Sequence, residues 1–220
     1  MKLLKNLYFY PEKGMMDCNT YVIKDKLSIL IDPGLNQFLP ELLNDMQKDG
    51  IDPKTINIIM NTHLHGDHSW ANEAFKQASG AEILLHTVQK QLGDAAANQA
   101  AKFFGVPSSE FSEDRVIDED RLSLGETELE IIPSPGHSLE SICFYWRQEK
   151  VLICGDVIFN QNTGRVDLPG GSAEQLKQSI ERLSRLEIEY LLPGHMDIVT
   201  GADNVRRNFE FVKQHVFSYL

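Results

Sequence analysis

The chain has 220 residues, a formal net charge of −11 and 42% hydrophobic residues, a globular composition with enough length to bury a real core. The acidic balance argues against broad binding to nucleic acid or to an anionic membrane, since both want a basic surface, and leaves room for a local basic pocket. No apolar run suits a signal peptide or a membrane span, and Cys18, Cys143 and Cys154 lack metal-finger spacing, so they read as reduced core thiols in a cytoplasmic protein.

Leu3 to Tyr10 is apolar and aromatic and reads as a strand, followed by a turn from Pro11 to Gly14. Cys18 to Lys24 and Leu27 to Ile31 read as two strands joined at Asp25, the second ended by Asp32-Pro33-Gly34. Leu39, Leu42, Leu43 and Met46 recur at helical spacing, so a helix runs to about Lys48 and stops at Gly50. The β-branched run Thr55 to Met60 predicts a buried strand, and a helix is expected from about Ser69. Glu82 to Leu85 reads as a short strand, Thr87 to about Ala101 as a helix, and 105–120 as an acidic, irregular segment facing solvent. Leu122 to Leu124 pairs with Glu128 to Ile132 as a hairpin through Gly125, and Ser141 to Trp146 pairs with Lys150 to Cys154 as another. Ser172 is placed to cap a helix with Gln175 in capping-box position, and Leu176, Ile180 and Leu183 give that helix its apolar stripe. Tyr190 to Leu192 is a last short strand, and Val205, Phe209, Val212 and Val216 mark a closing amphipathic helix. Strands in both halves with helices between and after them suggest sheets covered by helices. No linker or composition break divides 1–220, which predicts one domain.

The chemistry concentrates where the Thr55–Met60 strand ends. Asn61-Thr62-His63-Leu64-His65-Gly66-Asp67-His68 packs three imidazoles and a carboxylate into six positions. In extended backbone, side chains two apart share a side, so His63 and His65 can grip one ion. Asp67 and His68 lie where the chain redirects and can face a second. Three more apolar runs end alike: through Gly136 to His137, through Gly155 to Asp156, and through Gly194 to His195. Glycine suits a loop that must aim a side chain into a crowded centre.

His63-x-His65-x-Asp67-His68, then Pro-Gly-His137, Gly-Asp156 and Pro-Gly-His195, resembles the metallo-β-lactamase superfamily over nearly the whole chain, and most closely its glyoxalase II-like branch. The resemblance implies an α/β fold, a four-layer αββα sandwich of two packed mixed sheets with helices outside, forming a single domain over 1–220. It implies that His63, His65 and His137 hold one metal, that Asp67, His68 and His195 hold a second, and that Asp156 bridges them. Nitrogen and oxygen donors without thiolate suit two divalent ions, with Zn2+ first and Fe2+ or Mn2+ as alternatives. Such a pair makes hydroxide available near neutral pH, and a metal-bridging hydroxide would attack a carbonyl whose tetrahedral oxyanion the metals stabilise. Asp67 and Asp156 are thus the expected catalytic carboxylates. Asp32, in Asp-x-Gly after an early strand, is expected either to orient the histidine loop or simply to make a turn.

The branch hydrolyses thioesters, typically a hydroxyacyl glutathione, and a thiol of pKa near 8.5 leaves without a proton donor. A small-molecule thioester is therefore the expected substrate, with no nucleic acid or membrane partner. The segment Gly164-Arg165-Val166-Asp167-Leu168-Pro169-Gly170-Gly171 resembles one in short glyoxalase II-like hydrolases, and Arg165 is expected either to meet an anionic substrate or to form a local pair with Asp167. Persulfide dioxygenases of the same fold, with a single iron, carry a related Gly-Arg-x-Asp, which makes them the alternative activity. A β-lactam or phosphodiester hydrolase is another. Full-length glyoxalase II carries a helical region after the last histidine that contacts glutathione, whereas 25 residues follow His195 here, so the resemblance does not reach glutathione recognition.

Overall fold

A computed structural model describes residues 1–14, 16–93, 102 and 111–220. Its strands form two six-stranded sheets. The first contains β1 (Leu7–Tyr10), β2 (Thr20–Ile23), β3 (Ile29–Ile31), β4 (Ile58–Met60), β5 (Glu82–His86) and β6 (Arg115–Ile117), in that spatial order. The second contains β7 (Arg121–Ser123), β8 (Glu128–Pro133), β9 (Ile142–Trp146), β10 (Val151–Gly155), β11 (Tyr190–Pro193) and β12 (Val199–Thr200), again in order from one edge to the other. Both sheets are mixed. In the first, β1–β3 form an antiparallel meander and β3–β6 run parallel. In the second, β10 and β11 are parallel and the other described neighbours are antiparallel.

Side-chain alternation explains the layering. Leu7, Phe9, Tyr21, Ile23, Ile29 and Ile31 of the first sheet meet Ile142, Phe144, Trp146, Val151 and Ile153 of the second in one buried core. The residues between them point the other way. Tyr8, Tyr10, Val22 and Leu30 pack on Leu39, Leu42 and Met46 of α1 (Leu39–Lys48) and on Phe75 of α3 (Asn72–Ser79). Cys143, Tyr145, Leu152 and Cys154 pack on α5 (Ala173–Leu183) and α6 (Ala202–Phe211). Three apolar interfaces therefore separate four layers, helix–sheet–sheet–helix. Central strands covered on both faces read as continuous apolar runs rather than alternating ones.

Differences from the sequence-based expectation have local causes. The strand expected from Thr55 begins at Ile58, because Asp52 accepts a hydrogen bond from Lys54 N at 3.0 Å and closes a 3-10 turn, Pro53–Thr55. The helix expected from Ser69 starts earlier and in two pieces, α2 (Gly66–Ser69) and then α3. Within 105–120, Arg115–Ile117 is not irregular but forms β6, an edge strand that buries only Ile117 and so carries little apolar signal. Residues 87–93 are helical (α4), while 94–101 and 105–110 of the two segments read from sequence lie outside the described residues. Ser172 caps α5, its hydroxyl accepting from Gln175 N at 3.3 Å, but among the described residues Gln175 Oε1 has no hydrogen-bond partner. The last helix ends in a π-helical turn, Val212–Val216. All three cysteines are buried free thiols, and among the described residues no helix is long and apolar enough to cross a membrane.

Candidate metal centre

β8, β10 and β11 run in the same direction, because β9 lies antiparallel between β8 and β10. Their C-terminal ends therefore open at one edge of the second sheet, delivering His137, Asp156 and His195 to one place. β4 brings 61–68 to them from the first sheet, and Ile142 N donates to Thr62 O at 2.8 Å across the gap. Buried Asn61 shapes the turn that follows: its amide donates to His68 O at 2.9 Å, and Asn72 donates back to Asn61 Oδ1 at 2.7 Å. Two glycines are required by crowding. A Cβ on Gly155, which has φ +49°, would overlap the Thr62 side chain, and one on Gly194 would overlap Asp156 Oδ1.

The seven side chains expected as ligands converge. Three triads each have donor atoms within 4.8 Å of one another: His63, His65 and His137; His63, His68 and Asp156; Asp67, His68 and His195. Asp156 touches residues of the first and the last. Its Oδ1 lies 3.3 Å from His68 Nε2, and its Oδ2 lies 3.5 Å from His137 Nε2 and 3.4 Å from His195 Nε2. Asp67 Oδ2 is 3.3 Å from His195 Nε2.

The far side of most rings is tied to the protein. His68 Nδ1 donates to Asp32 Oδ2 at 3.0 Å, and His137 Nδ1 donates to the carbonyl of Arg165 at 2.8 Å. His63 Nδ1 lies 3.2 Å from Thr62 Oγ1, and His195 Nδ1 lies 3.0 Å from Glu12 Oε2. The partners set the tautomer and leave Nε2 facing the centre. His65 is turned the other way, its Nδ1 2.9 Å from His137 Nε2.

Electrostatics divide the rings into two kinds. Burial, with His68, His65 and His137 nearby, holds His63 well below the usual imidazole range, and burial beside His137 lowers His65 to about 3. Burial also opposes charge on His195, but Asp156 and Asp67 outweigh it and raise the ring to about 11. His68 is held high against burial by Cys18, Asp32, Asp156 and Asp67. Burial would raise both carboxyls, yet His195 and His68 keep Asp156 well below the usual range and Asp67 lowered. The raised rings and the lowered carboxyls share one cause, their mutual attraction across the centre.

The donor set fits divalent cations. His63 Nε2, His68 Nε2 and Asp156 Oδ1 are buried without a hydrogen-bond partner among the described residues, although buried polar atoms are rarely left so. They point into a space walled by further nitrogen and carboxylate donors. A thiol is not among them: Cys18, near His68, is pushed up to about 12 by burial.

A family model described as the metallo-beta-lactamase superfamily matches residues 14–195. This chain belongs to that superfamily. Among its relatives, "Probable metallo-hydrolase MJ0888" of Methanocaldococcus jannaschii is 36% identical over 188 residues, 82% of this chain and 88% of that protein. A "Hydroxyacylglutathione hydrolase" of Rhodospirillum rubrum is 33% identical over 138 residues, 63% of this chain and 47% of that protein. Of solved superfamily structures, the BLEG-1 B3 metallo-beta-lactamase superposes with a TM-score of 0.77 at 27% identity, covering 95% of this chain and 97% of that one. TTHA1623, crystallised in a di-iron-bound form, superposes with a TM-score of 0.73 at 28% identity, covering 90% and 98%.

Arg165 stands outside the cluster of superfamily donors. Its guanidinium makes a two-point pair with Asp167, both bonds at 2.7 Å, while its carbonyl orients His137. Asp32 is no mere turn residue: although its φ is +58°, it is fully buried and also accepts from Thr62 N at 2.8 Å and Thr62 Oγ1 at 2.7 Å. Sequence reasoning missed Glu12 and the Arg165 carbonyl. Only the Gly-Arg segment carried a signal, and it pointed to the side chain. His86 stays apart from the centre, its Nδ1 accepting from Val88 N at 3.3 Å at the start of α4.

Proposed function

We propose that the protein is a metallohydrolase that holds two divalent cations and cleaves a small-molecule thioester. One observation carries this reading: the Asp156 carboxylate lies between two preassembled nitrogen and carboxylate triads and touches members of both. His63, His65 and His137 would hold one cation, Asp67, His68 and His195 the other, with Asp156 shared. Zn2+, Fe2+ and Mn2+ all suit these donors. Bound there, such ions supply Lewis acidity towards a carbonyl and lower the pKa of water from about 15.7 towards 7.

The protein's own groups prepare the site. Asp32, Thr62 and the Arg165 carbonyl hold the rings that face the centre, so little reorganisation remains when substrate arrives. Asp67 and Asp156 are held ionised at neutral pH and have no proton to give a leaving group. That favours a leaving group able to depart as an anion, and a thiol of pKa about 8.5 does so. The similarity to a hydroxyacylglutathione hydrolase supports the same class of substrate.

The test is metal analysis together with hydrolysis of a lactoyl thioester and of a β-lactam by the metal-loaded protein. Near two cations per chain, thioester turnover, and its loss in Asp156→Ala are expected. Full turnover by Asp156→Ala would overturn the mechanism, and faster turnover of the β-lactam would overturn the substrate class.

A further inference from the structure

The two outer triads differ in how they are enclosed. His63, His65 and His137 are buried. In the other triad His68 is buried, but the side chains of His195 and Asp67 keep 20% and 25% of their exposure. The exposed triad also depends on the opposite sheet. Glu12, in the loop between β1 and β2, reaches across to the loop after β11. Its Oε2 accepts from His195 Nδ1 at 3.0 Å, and its Oε1 accepts from Met196 N at 3.3 Å. Met196 has φ +65°, a left-handed backbone that a residue with a side chain adopts at a cost.

Asn19 and Tyr21 hold the same loop in another way. The Asn19 amide donates to the carbonyls of Pro193 at 3.0 Å and Met196 at 2.9 Å, and Asn19 N donates to Gly194 O at 2.7 Å. Tyr21 OH donates to Pro193 O at 2.7 Å. These contacts fix backbone. Among the described residues, Glu12 is the one that reaches from the first sheet's opening loop to the His195 ring. Glu12 is itself fixed, since its N–H donates to Asn19 Oδ1 at 3.0 Å.

We propose that Glu12 is a positioning residue that controls occupancy of the exposed cation site. The assignment rests on the two-cation reading above. By accepting the Nδ1 proton of His195, Glu12 selects the tautomer whose Nε2 lone pair faces Asp67 and Asp156. Its negative charge also makes that nitrogen a better donor. Among the described residues Glu12 bonds to none of His63, His65 and His137, so its loss acts first on the exposed site. The protein therefore holds one cation enclosed by three imidazoles and another that exchanges according to an exposed carboxylate on a separate loop.

The experiment compares the wild type, Glu12→Gln, Glu12→Ala and Tyr21→Phe by competitive Zn2+ titration against a chromophoric chelator, with metal counted after dialysis. Glu12 is 37% exposed, so its replacement leaves the core intact, which melting in excess chelator checks. In Glu12→Ala the first cation should bind as in the wild type and the second about 10- to 100-fold more weakly. Glu12→Gln, which can accept the proton but lacks the charge, should fall between. A wild type that binds two cations while Glu12→Ala binds both unchanged overturns this proposal alone. So does an equal loss in Tyr21→Phe, which removes a bond to the same loop and leaves those of Glu12 in place, since backbone rigidity would then set the site. A wild type that saturates at one cation overturns the two-cation reading and this proposal with it.

Discussion

Asp32→Asn isolates the charge behind His68 from everything else at that position. Asn tolerates the left-handed backbone that Asp32 adopts at φ +58°, so the substitution adds no strain there. The amide oxygen can keep the 2.8 Å bond from Thr62 N, which places the amide NH2 where Oδ2 accepted from Thr62 Oγ1 and His68 Nδ1. The threonine hydroxyl can rotate and accept. His68 cannot: to avoid two opposed donors, its neutral ring must carry the proton on Nε2, the atom that faces the centre. A charge-assisted hydrogen bond of about 1.5–3 kcal/mol is lost, and a cation must then displace the misplaced proton. Partners of this kind change metal affinity by about 10- to 100-fold, or about 1.4–2.7 kcal/mol. The assay is competitive titration with Zn2+, alongside melting in chelator to show that the fold survives. Unchanged affinity in a folded Asp32→Asn protein would refute the tautomer argument.

pH should act in opposite senses on cation-free and cation-loaded protein. Without cations, His68 and His195 have raised values, so their contribution is complete below the ordinary 6.5 and fades as pH rises through the raised values, about 11 for His195. His63 and His65 have lowered values, so their contribution is complete above 6.5 and fades as pH falls through the lowered values, about 3 for His65. The melting temperature in chelator should therefore peak near pH 6.5, whereas loaded protein, whose cations take the place of those protons, should keep its stability above that pH; matching profiles would contradict the assignment. Gly194→Ala should lose metal and destabilise the fold by about 1–3 kcal/mol, because the new methyl would overlap Asp156 Oδ1 and lie 2.7 Å from His68 Cε1. Full metal content in that variant would show that the loop can retreat. Arg165→Ala should retain its metal and its melting temperature, since the carbonyl that holds His137 remains and the guanidinium pairs with exposed Asp167. A rise in KM confined to anionic thioesters would assign that side chain to substrate.

Sequence alone marked the seven side chains that converge and the strands that carry them. His63, His65, Asp67 and His68 fall within six positions, and His137, Asp156 and His195 each follow a glycine at the end of an apolar run, so local chemistry and backbone freedom marked them. Sheets covered by helices were legible because apolar strand runs in both halves are interleaved with amphipathic helices, and the four-layer order came with the superfamily resemblance. Short or exposed elements such as β6 and β12 bury too little to leave that mark. What only tertiary structure decided is the support behind the rings. Asp32 meets His68 from 36 residues away, Arg165 meets His137 from 28, and Glu12 meets His195 from 183. Such partners need only an acceptor at the right point in space. Any carboxylate or carbonyl can provide one, so no periodicity or spacing announces which residue does. Strand register and the packing of the two sheets make that choice.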